Sequence, residues 1–162
     1  MISKSDSIPT IYLKPGEHYF ADTPAIVSTV LGSCVSITMH SPKQLKSAIC
    51  HAVLPEECTL GEPFRYVDSA IAAMLKLFSR HGIKKTDLEV KLFGGSDILS
   101  PSENSYREMT VGKQNILQAQ KIIQREQINL LACDVGGLRG RKIFFHTQSG
   151  VIYLKRLREI RR

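Results

Sequence analysis

From Val35 to His40 the chain alternates residue by residue, with Val35, Ile37 and Met39 apolar and Ser36, Thr38 and His40 polar. A period of two rules out a helix there and predicts a β-strand with one buried face. Gly32 just before the segment permits a sharp turn, and Ser41-Pro42-Lys43 closes it. A second apolar run, Ala48 to Leu54, follows within one short connection. Antiparallel pairing of the two runs is the arrangement such a connection favours, so a sheet with this pair in it is expected.

Two segments carry helical spacing instead. Val67, Ala70, Ile71, Met74, Leu75 and Phe78 recur along 66–80, with Gly82 just past the end, and Ile116, Leu117, Ala119, Gln120 and Ile123 mark a second helix over 111–126. The other apolar runs have strand length: 11–13, 25–31, 88–93 ending at Gly94-Gly95, 128–134, and 142–147 joined to 151–157 through Gln148-Ser149-Gly150. Sequential hairpins around two helices predict an α+β layered fold. Residues 1–10 read as a flexible leader and 11–162 as one folded domain, with a polar loop over 96–110 and a loop after Pro55 long enough to border a cleft. A chain of 162 residues, 43% hydrophobic, suits a single core.

Composition excludes several classes. No apolar run approaches the roughly 20 residues that span a bilayer, and Met1 to Pro9 is polar, so a cytoplasmic protein without membrane insertion is expected. Cys34, Cys50, Cys58 and Cys133 lack paired CxxC spacing and read as free thiols; His18, His40, His81 and His146 are scattered, so no metal is expected. The net charge of +7 sits largely in Arg139, Arg141 and Lys142 and in Lys155, Arg156, Arg158, Arg161 and Arg162, without interleaved aromatic residues. That pattern predicts a solvated basic surface rather than a nucleic-acid site. Gly136-Gly137-Leu138-Arg139-Gly140-Arg141 lacks phosphate-loop spacing and reads as a structural turn, with Asp134 capping its amides.

One constellation carries chemistry. Cys34 ends the turn Val30-Leu31-Gly32-Ser33-Cys34, and His51 follows seventeen residues later on the neighbouring run. Pairing of the runs brings the two together as nucleophile and base. An imidazolium beside the thiol would lower its pKa and favour reaction at mildly acidic pH, and the bared amides of Gly32, Ser33 and Cys34 would bind an oxyanion. The alternative from spacing alone is a buried structural cysteine and a hydrogen-bonded strand histidine.

These residues and several later blocks resemble the chemotaxis CheD family, the chemoreceptor glutamine deamidases. The likeness runs through Leu31-Gly32-Ser33-Cys34, His51-Ala52-Val53-Leu54-Pro55, Arg65-Tyr66-Val67-Asp68-Ser69-Ala70-Ile71, Lys91-Leu92-Phe93-Gly94-Gly95, Val111-Gly112-Lys113-Gln114-Asn115 and Asp134 to Arg141. The resemblance implies an α/β sandwich with a largely antiparallel sheet and two main helices. It implies that Cys34 attacks a receptor glutamine carboxamide, that His51 serves as base and acid, and that glutamyl methyl esters are further substrates. No cofactor is implied; the implied partners are chemoreceptor cytoplasmic domains and a CheC-like phosphatase. The family's third site residue is a threonine six positions before the cysteine, which here is Ser28, with Thr29 next to it. Consecutive strand residues face opposite ways, so only one hydroxyl addresses His51, and Ser28 is the expected one. A non-catalytic adaptor that binds receptors or the phosphatase through the same surface is the alternative reading.

Overall fold

The computed structural model describes residues 7–98 and 109–158. Most of the expected leader, most of the polar loop over 96–110, and Arg161 and Arg162 lie outside the described residues. The elements are β1 (Thr10–Tyr12), β2 (His18–Ala21), β3 (Ile26–Leu31), β4 (Val35–Ser41), β5 (Lys46–Cys50), α1 (Val67–Arg80), β6 (Glu89–Gly94), α2 (Val111–Arg125), β7 (Leu130–Val135), β8 (Arg141–His146) and β9 (Ile152–Arg156). They form two sheets, one ordered β1-β3-β8-β9 and the other β2-β5-β4-β6-β7. Pairing is antiparallel except at β1 with β3 and β6 with β7.

The apolar residues sort into two cores and thereby three layers. Val35, Ile37 and Met39 of β4, with Ala48 and Cys50 of β5, meet Val67, Ala70, Ile71, Met74 and Phe78 of α1 and Ala119, Ile122 and Ile123 of α2. Between the sheets, Val27 and Leu31 of β3 and Ile143 and Phe145 of β8 meet Ile49 and Phe93. The α+β layered fold with two main helices and mostly antiparallel strands is as expected. The second sheet was not anticipated, and it changes the reading of β4. Its alternation suggests one buried face, yet every residue of β4 is buried, because the four-stranded sheet covers the polar side. On that side His40 Nδ1 meets Ser47 Oγ at 2.7 Å and Ser47 Oγ donates to the Thr147 carbonyl at 2.6 Å, whereas Ser36 Oγ is buried without a partner among the described residues.

The basic turn also differs from expectation. Arg141 is buried, with 1% of its surface exposed, and donates to Asp134 Oδ1 at 2.7 Å and to the Asp134 and Gly136 carbonyls. Asp134 takes a second guanidinium, that of Arg156, at 2.6 Å. The carboxylate therefore joins the edge of one sheet to two strands of the other rather than capping glycine amides, because two cations compete more strongly for it than neutral N–H groups.

Candidate active site

β3 and β4 belong to different sheets, so the Gly32–Cys34 turn between them is where the chain crosses from one layer to the next. Beyond it Val35 and Ala52 exchange hydrogen bonds, Val35 N–H to Ala52 at 3.0 Å and Ala52 N–H to Val35 at 2.9 Å. Their side chains lie in the helix-side core. Cys34 and His51, each one residue away, thus share the opposite face and stand diagonally across the pair. The far edge of His51 is fixed by the loop ahead of β2: Gly16 N–H donates to the His51 carbonyl at 2.8 Å, and His51 N–H donates to the Glu17 carbonyl at 3.0 Å. The expected neighbourhood of Cys34 and His51 is present. Among the described residues no hydrogen bond joins the two side chains.

The hydroxyl against the imidazole is that of Thr29, not Ser28. Thr29 Oγ1 lies 2.7 Å from His51 Nδ1 and donates its proton to the Leu13 carbonyl at 2.8 Å. A hydroxyl has one proton, so with that proton on Leu13 it accepts from Nδ1–H, and the neutral imidazole keeps its free lone pair on Nε2. The physical reason Ser28 misses the site is strand alternation. Thr29 lies between Val27 and Leu31 on the face that fills the inter-sheet core, whereas Ser28 shares the other face with Ile26 and the exposed Val30.

Electrostatics set the resting charge of the pair. Burial drives the His51 pKa down to about 4, against a weaker upward pull from the Glu17 carboxylate. Burial also raises the Cys34 thiol above its usual range; its own backbone N–H and the Arg65 guanidinium pull downward without cancelling this. Burial therefore favours a neutral thiol beside a neutral imidazole over the thiolate-imidazolium pair expected from the sequence. Arg65, an exposed cation whose carbonyl accepts Val53 N–H at 2.8 Å, is a neighbour of the thiol that spacing along the chain does not reveal.

The turn itself is open on its amide side. Among the described residues the N–H groups of Gly32, Ser33 and Cys34 donate to no backbone carbonyl, and that of Cys34 leans on its own sulfur, which leaves the turn open for an oxyanion. Beside the turn lies a cavity of about 270 Å³ whose walls include Ser33, Val53, Leu54, Ser96 and Val111. Of the other thiols, Cys50 is buried and pushed up to about 12, and Cys58 is exposed with its sulfur 3.4 Å from the Tyr66 hydroxyl. His18 stacks on Phe64 and His81 on Phe20, at centroid distances of 3.6 and 4.8 Å, which accounts for both as packing residues.

Comparison with known proteins bears on the whole chain. The family model described as CheD chemotactic sensory transduction matches residues 53–156. The probable chemoreceptor glutamine deamidase CheD 2 of Geobacter sulfurreducens is 46% identical over 157 residues, covering 97% of this chain and 96% of that protein. The probable chemoreceptor glutamine deamidase CheD of Maridesulfovibrio salexigens is 40% identical over 165 residues, covering 97% of each chain. The namesake from Nitratidesulfovibrio vulgaris is 40% identical over 154 residues, covering 91% of this chain and 77% of its own. The matched family segment begins just after His51, and the relatives extend the match back across the Cys34 turn, so that the chain, from its first sheet to β9, belongs to the CheD family.

Proposed function

We propose that the protein is a chemoreceptor glutamine deamidase with Cys34 as nucleophile, His51 as base and acid, and Thr29 as the residue that orients His51. The observation that carries this reading is the bifunctional Thr29 hydroxyl, which takes Nδ1–H and leaves Nε2 as a lone pair on the face shared with Cys34. Nε2 accepts the thiol proton as sulfur attacks the carboxamide carbon, and the oxyanion forms at the amides of Ser33 and Cys34. The imidazolium then gives that proton to the departing nitrogen, and ammonia leaves a glutamyl thioester. Water, deprotonated by His51, cleaves the thioester to glutamate and restores the thiol. A depressed His51 pKa suits both turns of this cycle, since the base is already unprotonated at neutral pH.

The same acyl-enzyme forms from a glutamyl methyl ester with methanol as the leaving group, so methylesterase activity belongs to this reading. The relatives' names place the substrate among chemoreceptors. Among the described residues no helix is long and apolar enough to cross a membrane, which suits action on receptor domains from the cytoplasmic side. A CheC-like phosphatase is the regulatory partner that the family resemblance implies. Incubating a receptor signalling domain with the protein tests the reading: ammonia release that stops in Cys34→Ala and is nearly lost in Cys34→Ser supports it, and release unaffected by Cys34→Ala refutes it.

A further inference from the structure

Three carbonyls of the nucleophile turn each meet a donor from the β6–α2 side of the site. The Gly32 carbonyl accepts Ser96 N–H at 2.9 Å and the Cys34 carbonyl accepts Gly95 N–H at 2.8 Å. The Ser33 carbonyl, between them, is held by a side chain: Asn115 Nδ2 of α2 donates to it at 2.9 Å. The second proton of the same amide goes to the Val53 carbonyl at 3.0 Å, two residues beyond His51. Asn115 is fully buried, and its Oδ1 has no partner among the described residues. An unpaired buried amide oxygen is costly, so its presence calls for a compensating use of the other end of the group.

Peptide geometry supplies that use. Across a trans peptide the carbonyl and the following N–H point in opposite directions. Holding the Gly32 and Ser33 carbonyls inward therefore turns the N–H groups of Ser33 and Cys34 outward, beside the thiol. We propose that Asn115 is a positioning residue for the reaction: one carboxamide ties the turn carrying Cys34 to the strand end carrying His51, and fixes both the spacing of nucleophile and base and the aim of the oxyanion donors. The assignment rests on the roles given above to Cys34 and His51.

Asn115→Asp keeps the shape of the side chain and replaces its donors with acceptors. It is expected to lower kcat for ammonia release by about tenfold to a hundredfold with KM little changed. Its kcat relative to the wild type should recover as pH falls, because a protonated carboxyl regains one donor. Ile122→Ala, buried on the same helix but remote from the turn, should lower the melting temperature while sparing kcat. ¹⁵N relaxation dispersion at the Ser33 and Cys34 amides should be quiet in the wild type and show exchange in Asn115→Asp. Should that variant not fold, Asn115→Ser carries the same comparison. Variants that retain wild-type kcat and quiet amides, or a loss matched by Ile122→Ala at equal stability, would overturn the proposal. A wild-type protein that releases no ammonia would instead sink the glutamine reading, and the dispersion measurement would still decide the role of Asn115.

Discussion

The direction of one hydroxyl proton decides which nitrogen of His51 is free. Because Thr29 gives its proton to Leu13, it can only accept at Nδ1, and the free lone pair is on Nε2. Thr29→Ala should therefore lower the turnover number about threefold to tenfold, the rate equivalent of one neutral hydrogen bond, whereas Ser28→Ala should change it little. Steady-state ammonia release with the two variants checks this, and a larger loss from Ser28→Ala would reassign the contact. The sequence could not make this choice, since Ile26-Val27-Ser28-Thr29-Val30-Leu31 places apolar residues on both faces of β3 and either hydroxyl can be read as inward. Cys34 and His51 were legible because a turn and a short connection fix their pairing. Their charge state was not, because it follows from burial. With the thiol pKa raised, iodoacetamide should alkylate Cys34 slowly at pH 6 and faster as pH climbs, and Arg65→Ala should slow it further at a given alkaline pH by removing the cation that opposes the shift. Peptide mass spectrometry of the alkylated protein reads both effects; a fast plateau persisting into acid would restore the ion pair.

Among the elements, α1 and α2 were readable because each has one apolar stripe against a single sheet. β4 was readable as a strand, but alternation reports only that its two faces differ in polarity. It cannot distinguish water from a second sheet that buries Ser36, Thr38 and His40. β2 carries no alternation to find: His18-Tyr19-Phe20-Ala21 becomes a strand by pairing with β5, which is a non-local event. The turn after β6 also acts on the site. Gly94 has φ of +107°, and a Cβ there would run into the Cys34 carbonyl oxygen. Gly94→Ala should consequently destabilise the fold by more than about 1 kcal/mol, from the strained backbone alone, and should also depress turnover by pushing the Cys34 turn aside. Thermal unfolding together with ammonia release tests this, and a variant with wild-type values in both would show that the turn does not depend on Gly94.

For the molecule as a whole, buried neutral imidazoles make stability depend on pH. The His51 pKa falls from an ordinary 6.5 to about 4 on folding, so between these values the unfolded chain binds more protons. Stability is fully present above about pH 6.5 and is lost as pH falls towards 4, by up to about 3 kcal/mol from this residue. Burial lowers the His40 and His18 pKa values as well, which adds loss of the same sign. Urea unfolding across this range should show the slope, and His51→Gln should flatten part of it; an unchanged slope in the variant would place the titration elsewhere. The net charge of +7 gains a different meaning at this scale, because Arg141 and Arg156 converge on Asp134 to hold the two sheets together. On the proposed function, this layered fold presents Cys34 to receptor glutamines as a nucleophile. Intact-mass analysis of a chemoreceptor signalling domain incubated with the wild type, with Cys34→Ala and with His51→Ala addresses it most directly. A gain of about one dalton per modified glutamine with the wild type, absent with Cys34→Ala and strongly slowed with His51→Ala, is the expected result, since loss of a general base typically costs at least about a hundredfold. No mass gain with the wild type, or an equal gain with Cys34→Ala, would contradict it.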